Sequence, residues 1–189
     1  MDENKKYFQY LKNRSFWGQL YRSFYLYPKI NRLVKGRMLD IGCGIGDMLA
    51  FRPNSVGADV NPFNVEFCNY QGFEVYEMPF DKLPFADATF DSVLLDNVLE
   101  HITNPIHLFS EIKRVMRPDA VLVIGVPGLK GQLSDQDHKV FYDEFKLSSL
   151  ANLFGFGVNY ITHTPLFKSK ILSKYVRQYC IYTQWSIKA

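Results

Sequence analysis

The sequence predicts an α/β fold in which a mostly parallel sheet is covered by helices on both faces. Three observations carry that expectation. Short β-type runs, "RMLDIG", "SVGADV", "FEVYEM", "FDSVLLDN" and "AVLVIGVP", alternate with helical or mixed stretches, most clearly "NPIHLFSEIKRVM" at 104–116, and such alternation is the pattern of βαβ units. Two of the runs, "DSVLLD" and "AVLVIGV", are nearly continuous apolar stretches, as strands buried on both faces should be. The first run passes into "LDIGCGIGD", where three glycines join a strand to the start of a helix.

Taken in order, residues 1–30 stand apart. "YFQYLKNRSFWGQLYRSFYLYPKI" interleaves Tyr, Phe and Trp with Lys and Arg, and the aromatic positions recur near helical spacing, so one or two amphipathic helices are expected to end before Pro28. The remainder, 31–189, reads as one domain to which that extension belongs. In the glycine turn a helix can begin at about Ile45 or Gly46, and "DMLAFRPNS" leaves it only about two turns long. Glycine permits positive φ there and lets a ligand reach bare backbone at a helix N-terminus. Asp59 closes the second strand, where a carboxylate can accept both hydroxyls of a ribose or serve as the N-cap before "NPFNVEF". Beyond Pro127 come a polar loop, a helix near "KLSSLANLFGF", a basic stretch "FKSKILSKYVRQY" and a closing strand "IYTQWSIKA".

Composition bounds the rest. With 47% hydrophobic and 22% charged residues the chain is globular rather than disordered, and a formal charge of +3 is too small by itself to point to nucleic acid or a membrane surface. Three cysteines without metal-ligand spacing fit a reducing cytoplasm. The N-terminus has no signal-peptide core, and no run approaches the length of a membrane span. The expectation is a cytoplasmic protein with no stable membrane insertion and no nucleic-acid partner, of unassigned oligomeric state.

The glycine spacing differs from a dinucleotide fingerprint, because the third glycine comes one residue early and Asp47 follows it. Asp40, two residues before the first glycine, would repel a phosphate and welcome an ammonium group. The turn therefore suits a zwitterionic amino-acid end.

Four segments in order, "MLDIGCGIG", "VGADVNP", "LPFADATFDSVLLDNVLEHI" and "LFSEIKRVMRPDAVLVIGVPG", resemble the Rossmann-like, class I S-adenosylmethionine-dependent methyltransferases, specifically the small "methyltransferase domain" group. The resemblance covers Met38 to Gly128. It implies a three-layer sandwich with a mostly parallel seven-stranded sheet, an antiparallel last strand and an N-terminal helical lid. It implies S-adenosyl-L-methionine as cofactor, with Gly42, Cys43, Gly44 and Gly46 under the methionine part and Asp40 facing its amino group. It places Asp59 on the ribose, Val60 and the Phe80 backbone against adenine, and Asp96 and Asn97 near the sulfonium. The group often has an Asp where this chain has Pro79; Asp81 would supply that carboxylate from a shifted position.

For chemistry, His101 is a candidate base or a cap of its own loop. His138 and Tyr142, four residues apart, would share a face if helical and offer a base and a hydroxyl; His138 could equally cap the next helix. His107 and His163 are expected to play packing or surface roles. Relatives that methylate polyprenylated phenols bind a divalent ion through residues matching Asp96, Glu100 and His101, but no fourth ligand is evident, so no metal is assigned. Arg14, Tyr21 and Arg22 would meet substrate if the extension is a lid; otherwise it packs on the sheet's flank. The function expected is methyl transfer to an oxygen or nitrogen of a small-molecule acceptor, with a sugar, surface-glycan or natural-product intermediate as first choice. The alternative is a catalytically silent binder of the same cofactor, acting as partner or sensor.

Overall fold

The computed structural model describes residues 2–79 and 82–188. Its seven strands are β1 (Met38–Ile41), β2 (Ser55–Asp59), β3 (Val75–Glu77), β4 (Phe90–Asp96), β5 (Met116–Pro127), β6 (Phe156–Thr164) and β7 (Cys180–Ile187). They form one sheet in the order β3-β2-β1-β4-β5-β7-β6. All neighbours from β3 to β5 run parallel, whereas β7 lies antiparallel between β5 and β6. The closing strand expected from the sequence is thus inserted one place in from the edge.

Period-two alternation explains why both faces are covered. Val93 and Leu95 of β4, Leu122 and Ile124 of β5, and Trp185 of β7 point into the larger core. Their neighbours Leu94, Val123 and Tyr182 point into the other. Helix α6 (Ile106–Val115) closes the first face by burying Leu108, Phe109, Ile112 and Val115, an i, i+1, i+4, i+7 stripe. Phe109 stacks on Phe154 with centroids 4.4 Å apart and on Trp185 at 5.8 Å, so Phe109→Ala would cost about 3–5 kcal/mol.

The N-terminal extension divides into two parts. Helix α1 (Glu3–Lys12) and helix α2 (Phe16–Tyr21) run along the rim, and a π-helical turn (Arg22–Leu26) leads into α3 (Tyr27–Asn31). Leu26, Tyr27 and Ile30 are buried in the second core with Leu94 and Val123. Leu26, Tyr27 and Ile30 therefore anchor residues 26–31 to the core, and only the preceding part can act as a cover. The helix also passes through Pro28 instead of ending before it. Pro28 sits at the start of α3, directly after the wide π turn, and that widened turn lets a continuous helix admit a residue without an N–H.

The family-type motif "LPF" and the "E..R" of α6 are tied by one knot. Arg114 donates to the carbonyls of Leu83 and Phe85 at 3.0 and 2.7 Å and to Glu111 at 2.7 Å, while Glu111 accepts the Leu83 N–H at 2.9 Å. These hydrogen bonds, Arg114 first, pull the Glu111 pKa down to about 2. The motif is a loop anchor.

Candidate active site

The site grows from the C-terminal ends of β1, β2 and β4. After β1 the turn places Gly42, Gly44 and Gly46 at φ of +73°, +56° and +81°, values that side chains with a Cβ rarely adopt. Gly46 is the N-cap of α4 (Asp47–Phe51), a helix shortened as the sequence suggested. The turn's own N–H groups are largely engaged: Gly42 donates to the Ala58 carbonyl at 2.7 Å, and Gly44 donates to Asp59 Oδ2 at 2.8 Å. Cys43 packs its thiol into a small cluster with Leu49, Cys68 and Val75, so only its backbone faces the turn.

Asp59 does more than the sequence indicated. Besides Gly44, it accepts the Asn61 N–H at 2.8 Å and the Asn64 side chain at 3.2 Å. A carboxylate offers about four acceptor sites, so Asp59 can take one further donor without releasing the turn. The N-cap of α5 (Pro62–Tyr70) is Asn61, whose Oδ1 accepts the Phe63 N–H.

Three carboxylates converge on this edge. Asp40 and Asp59 are buried at 4% and 5% exposure. Burial raises the pKa of Asp40 first, then the charges of Asp96 and Asp59 raise it further. Burial likewise raises Asp59 and Asp96, partly offset for Asp96 by the Tyr182 hydroxyl, which donates to it at 2.7 Å. Such a cluster favours a cationic ligand over an anionic one. Asn97 holds φ of +56° without being glycine, a strained backbone of the kind found where a side chain must be aimed.

A cavity of about 200 Å³ opens here, lined by Tyr7, Gly42, Val60, Met78, Asn97 and His101 among others. Tyr7 comes from α1, which packs over the turn: Leu11 is 2% exposed, a Cβ on Gly44 would stand 3.2 Å from it, and Asn61 donates to the Asn4 carbonyl at 2.8 Å. A second, more open cavity of about 470 Å³ lies between the α2 region and α4, lined by Gln19, Arg22, Ser23, Tyr27 and Asp47. Arg14 is held by Asp47 at 2.6 Å, and Arg22 contacts the Gly18 carbonyl. The Tyr21 hydroxyl is buried with no hydrogen-bond partner.

The imidazoles meet at one point. A 3₁₀ turn, Leu99–His101, buries Glu100 completely, and both its carboxyl oxygens lack a hydrogen-bond partner among the described residues. Burial pushes its pKa up to about 8. His138 reaches Glu100 at 3.8 Å and Asp135 at 3.8 Å, and the His101 and His138 rings meet edge to face at 4.7 Å. His101 Nδ1 lies 3.2 Å from the Asp137 carbonyl, and His138 Nδ1 lies 3.2 Å from the Gln132 carbonyl. A carbonyl can only accept, so in these contacts each Nδ1 carries a proton. Burial, then the neighbouring His138, lowers the His101 pKa.

Two sequence expectations fail at this point. Residues 138–142 are not helical, and α8 (Glu144–Leu153) begins later, capped by Asp143. The backbone N–H groups of Lys139 and Val140 instead bind the Glu100 carbonyl at 2.8 and 3.0 Å, which fixes this stretch extended. Tyr142 is therefore turned into the main core at 3% exposure rather than set beside His138 on a helical face. The second correction concerns metal ligands: the donors that come together are Glu100, His101 and His138, each offering an atom within 4.8 Å of the others, without Asp96. These three could hold a divalent cation. Phe80 and Asp81 lie outside the described residues. His163 pairs with Glu144 at 2.9 Å and His107 is on the surface, as expected. Tyr7, Met78 and Tyr182 went unassigned in the sequence, because only the fold brings α1, the end of β3 and β7 to this edge.

Residues 39–124 match the protein family described as "Methyltransferase domain". Among curated proteins, the uncharacterized protein MJ1123 of Methanocaldococcus jannaschii is 33% identical over 92 residues, 49% of this chain and 45% of that protein. A tRNA U34 carboxymethyltransferase of Trichlorobacter lovleyi is 33% identical over 112 residues, 52% of this chain and 34% of that protein. The chain thus matches less than half the length of these relatives. Among solved structures, a S-adenosylmethionine-dependent methyltransferase of Thermotoga maritima, described as a possible histamine N-methyltransferase, superposes with a TM-score of 0.76 at 18% identity, covering 96% of this chain and 98% of that one. A S-adenosylmethionine-dependent methyltransferase of Aquifex aeolicus gives 0.71 at 20% identity, with 98% of both chains covered.

Proposed function

We infer that this chain, whose residues 39–124 match the methyltransferase-domain family, is a class I S-adenosylmethionine-dependent methyltransferase that transfers a methyl group from that cofactor to an oxygen or nitrogen of a small molecule. The observation that carries the inference is the cluster of carboxylates, buried Asp40 and Asp59 with half-buried Asp96, beside a glycine cradle. S-adenosylmethionine supplies an electrophilic methyl group on a sulfonium and also bears an ammonium group, so its positive charges answer those carboxylates. Asp40 would take the ammonium, Asp59 one ribose hydroxyl, and Val60 and Met78 the faces of the adenine. Asn97, aimed by its strained backbone, would sit beside the reacting carbon.

His101 suits the role of base. Its Nδ1 is fixed on the Asp137 carbonyl, its Nε2 lone pair is open, and burial keeps the ring neutral near pH 7. It would accept the proton of an acceptor hydroxyl as the oxygen–carbon bond forms, or remove the proton of an acceptor ammonium beforehand to free the nitrogen lone pair for attack. His138 would position His101 through the ring contact. Tyr7, Asn97 and Asp137, which line the same cavity as His101, offer polar groups to a hydroxylated acceptor such as a sugar or a glycosylated intermediate. A small acceptor remains the preferred partner, in a cytoplasmic setting.

Calorimetry with S-adenosylmethionine, its demethylated product and NAD tests the cofactor; tight binding of NAD alone would overturn it. Transfer of a labelled methyl group to pooled sugars, natural-product precursors and RNA tests the acceptor. Cofactor binding without transfer to any pool would favour the silent binder. Asp59→Asn, which keeps the shape but removes the charge, should weaken cofactor affinity by about 1–3 kcal/mol; unchanged affinity in the folded variant counts against the ribose role.

A further inference from the structure

We propose that the side of the molecule formed by α2, the π turn and the segment 165–177 docks on an anionic lipid surface. The first observation is charge segregation. Residues 4–31 contain six Lys or Arg and residues 145–178 contain five, with no Asp or Glu in either, while 17 of the 19 acidic residues fall in 40–144. A net charge of +3 conceals this, because the two basic segments are far apart in sequence. The fold brings them together: Tyr25 donates its hydroxyl to the Pro165 carbonyl, Lys29 donates to the His163 carbonyl at 2.6 Å, and Arg177 donates to the Tyr10 hydroxyl at 3.1 Å.

The second observation is that the same segments hold large apolar side chains in water. Trp17, Phe24, Phe167 and Ile171 are 78%, 79%, 67% and 72% exposed. Trp17 stands on α2 and Phe24 on the π turn that continues it. Ile171 and Tyr175 are one turn apart on α9 (Lys170–Tyr175), and each directly follows a lysine, Lys170 and Lys174. Protruding aromatic and aliphatic side chains among lysines match the boundary between phosphate headgroups and acyl chains, where rings insert and ammonium groups meet phosphates. Among the described residues no helix is long and apolar enough to cross a membrane, so the contact is peripheral. A nucleic-acid site would call for a groove that tracks a backbone, and these side chains stand out from the surface instead.

The test needs no enzymatic activity and so stands apart from the methyl-transfer reading. The chain has two tryptophans; Trp185 is fully buried and Trp17 is exposed, so a change in emission reports the face itself. With vesicles containing about 30 mol % phosphatidylglycerol, Trp17 emission should shift to the blue and the protein should co-sediment. Pure phosphatidylcholine vesicles should bind about tenfold less, and raising salt to about 0.5 M should release the protein. Lys170→Glu with Lys174→Glu should reduce binding about tenfold with an unchanged unfolding midpoint, and Trp17→Phe should abolish the shift while leaving the protein folded. Absence of binding to anionic vesicles, equal binding to neutral ones, retention of single-stranded RNA with no vesicle binding, or Trp17-dependent self-association without vesicle binding would each overturn the proposal.

Discussion

Glu111 and Glu100 stand eleven positions apart in the same run of motif residues, and the structure treats them in opposite ways. Glu111 has its acceptors filled by Arg114 and the Leu83 N–H, and its pKa falls to about 2. Glu100 is fully buried with both oxygens unmatched, and its pKa rises to about 8. A charged group whose bonds are complete holds a loop; one buried without partners costs free energy that the fold alone does not recover. The contrast separates an anchor from a site within one stretch of sequence.

The strongest way to break the contrast is at the imidazoles beside Glu100. His101→Ala should lower kcat by about 10²–10⁴-fold if it is the base, measured by steady-state transfer of a labelled methyl group, with cofactor affinity nearly unchanged. An intact kcat would make this cluster another anchor. Next in size, Arg114→Ala should reduce unfolding free energy by about 2–3 kcal/mol, since it leaves the part-buried Glu111 and two carbonyls unmatched. Urea denaturation reads the loss, and cofactor affinity in the folded fraction should not move.

A smaller effect concerns pH. The folded pKa of Glu100 lies above its unfolded value, near 4.5, so the stability linked to its proton is full below that value and is lost as pH rises toward about 8. Glu100→Gln should remove that slope and raise stability relative to the parent by roughly 1–3 kcal/mol near pH 8, with little difference near pH 4. Glu111 has the reverse sign: its contribution is full above about 4.5 and fades as pH falls toward 2. Thermal melts across this range, with each variant beside the parent, would sharpen the comparison. The smallest expected effect is that of a chelator. EDTA should change kcat less than about twofold if Glu100, His101 and His138 handle a proton, and loss of activity restored by a divalent ion would assign them to a metal.

The strands were legible because apolar runs such as "DSVLLD" leave few alternatives, and the short α4 was legible from its start at Gly46 and the early Pro53. The N-terminal helix was misread at Pro28, since the π turn that admits it has no sequence signature. The stretch 138–142 was misread because its hydrogen bonds go to Glu100, far away in the chain, and helical spacing cannot register such a partner. For the same reason Asp59 was visible as a carboxylate at a strand end, while its hold on Gly44 and Asn64 was not. Glu100 did carry a signal: a carboxylate inside the apolar run "VLEHI" has to be either matched or functional.

The insertion of β7 has a consequence for synthesis. β6 pairs with β7 alone, and β5 has β7 as its neighbour on that side. While the ribosome has made residues only as far as 164, β6 has no ladder to join and one edge of β5 lies open. The nascent chain must keep those two edges from pairing with other chains until residues 180–187 slide between them. A stop codon placed before Cys180 should therefore yield an aggregating product rather than a slightly smaller folded protein.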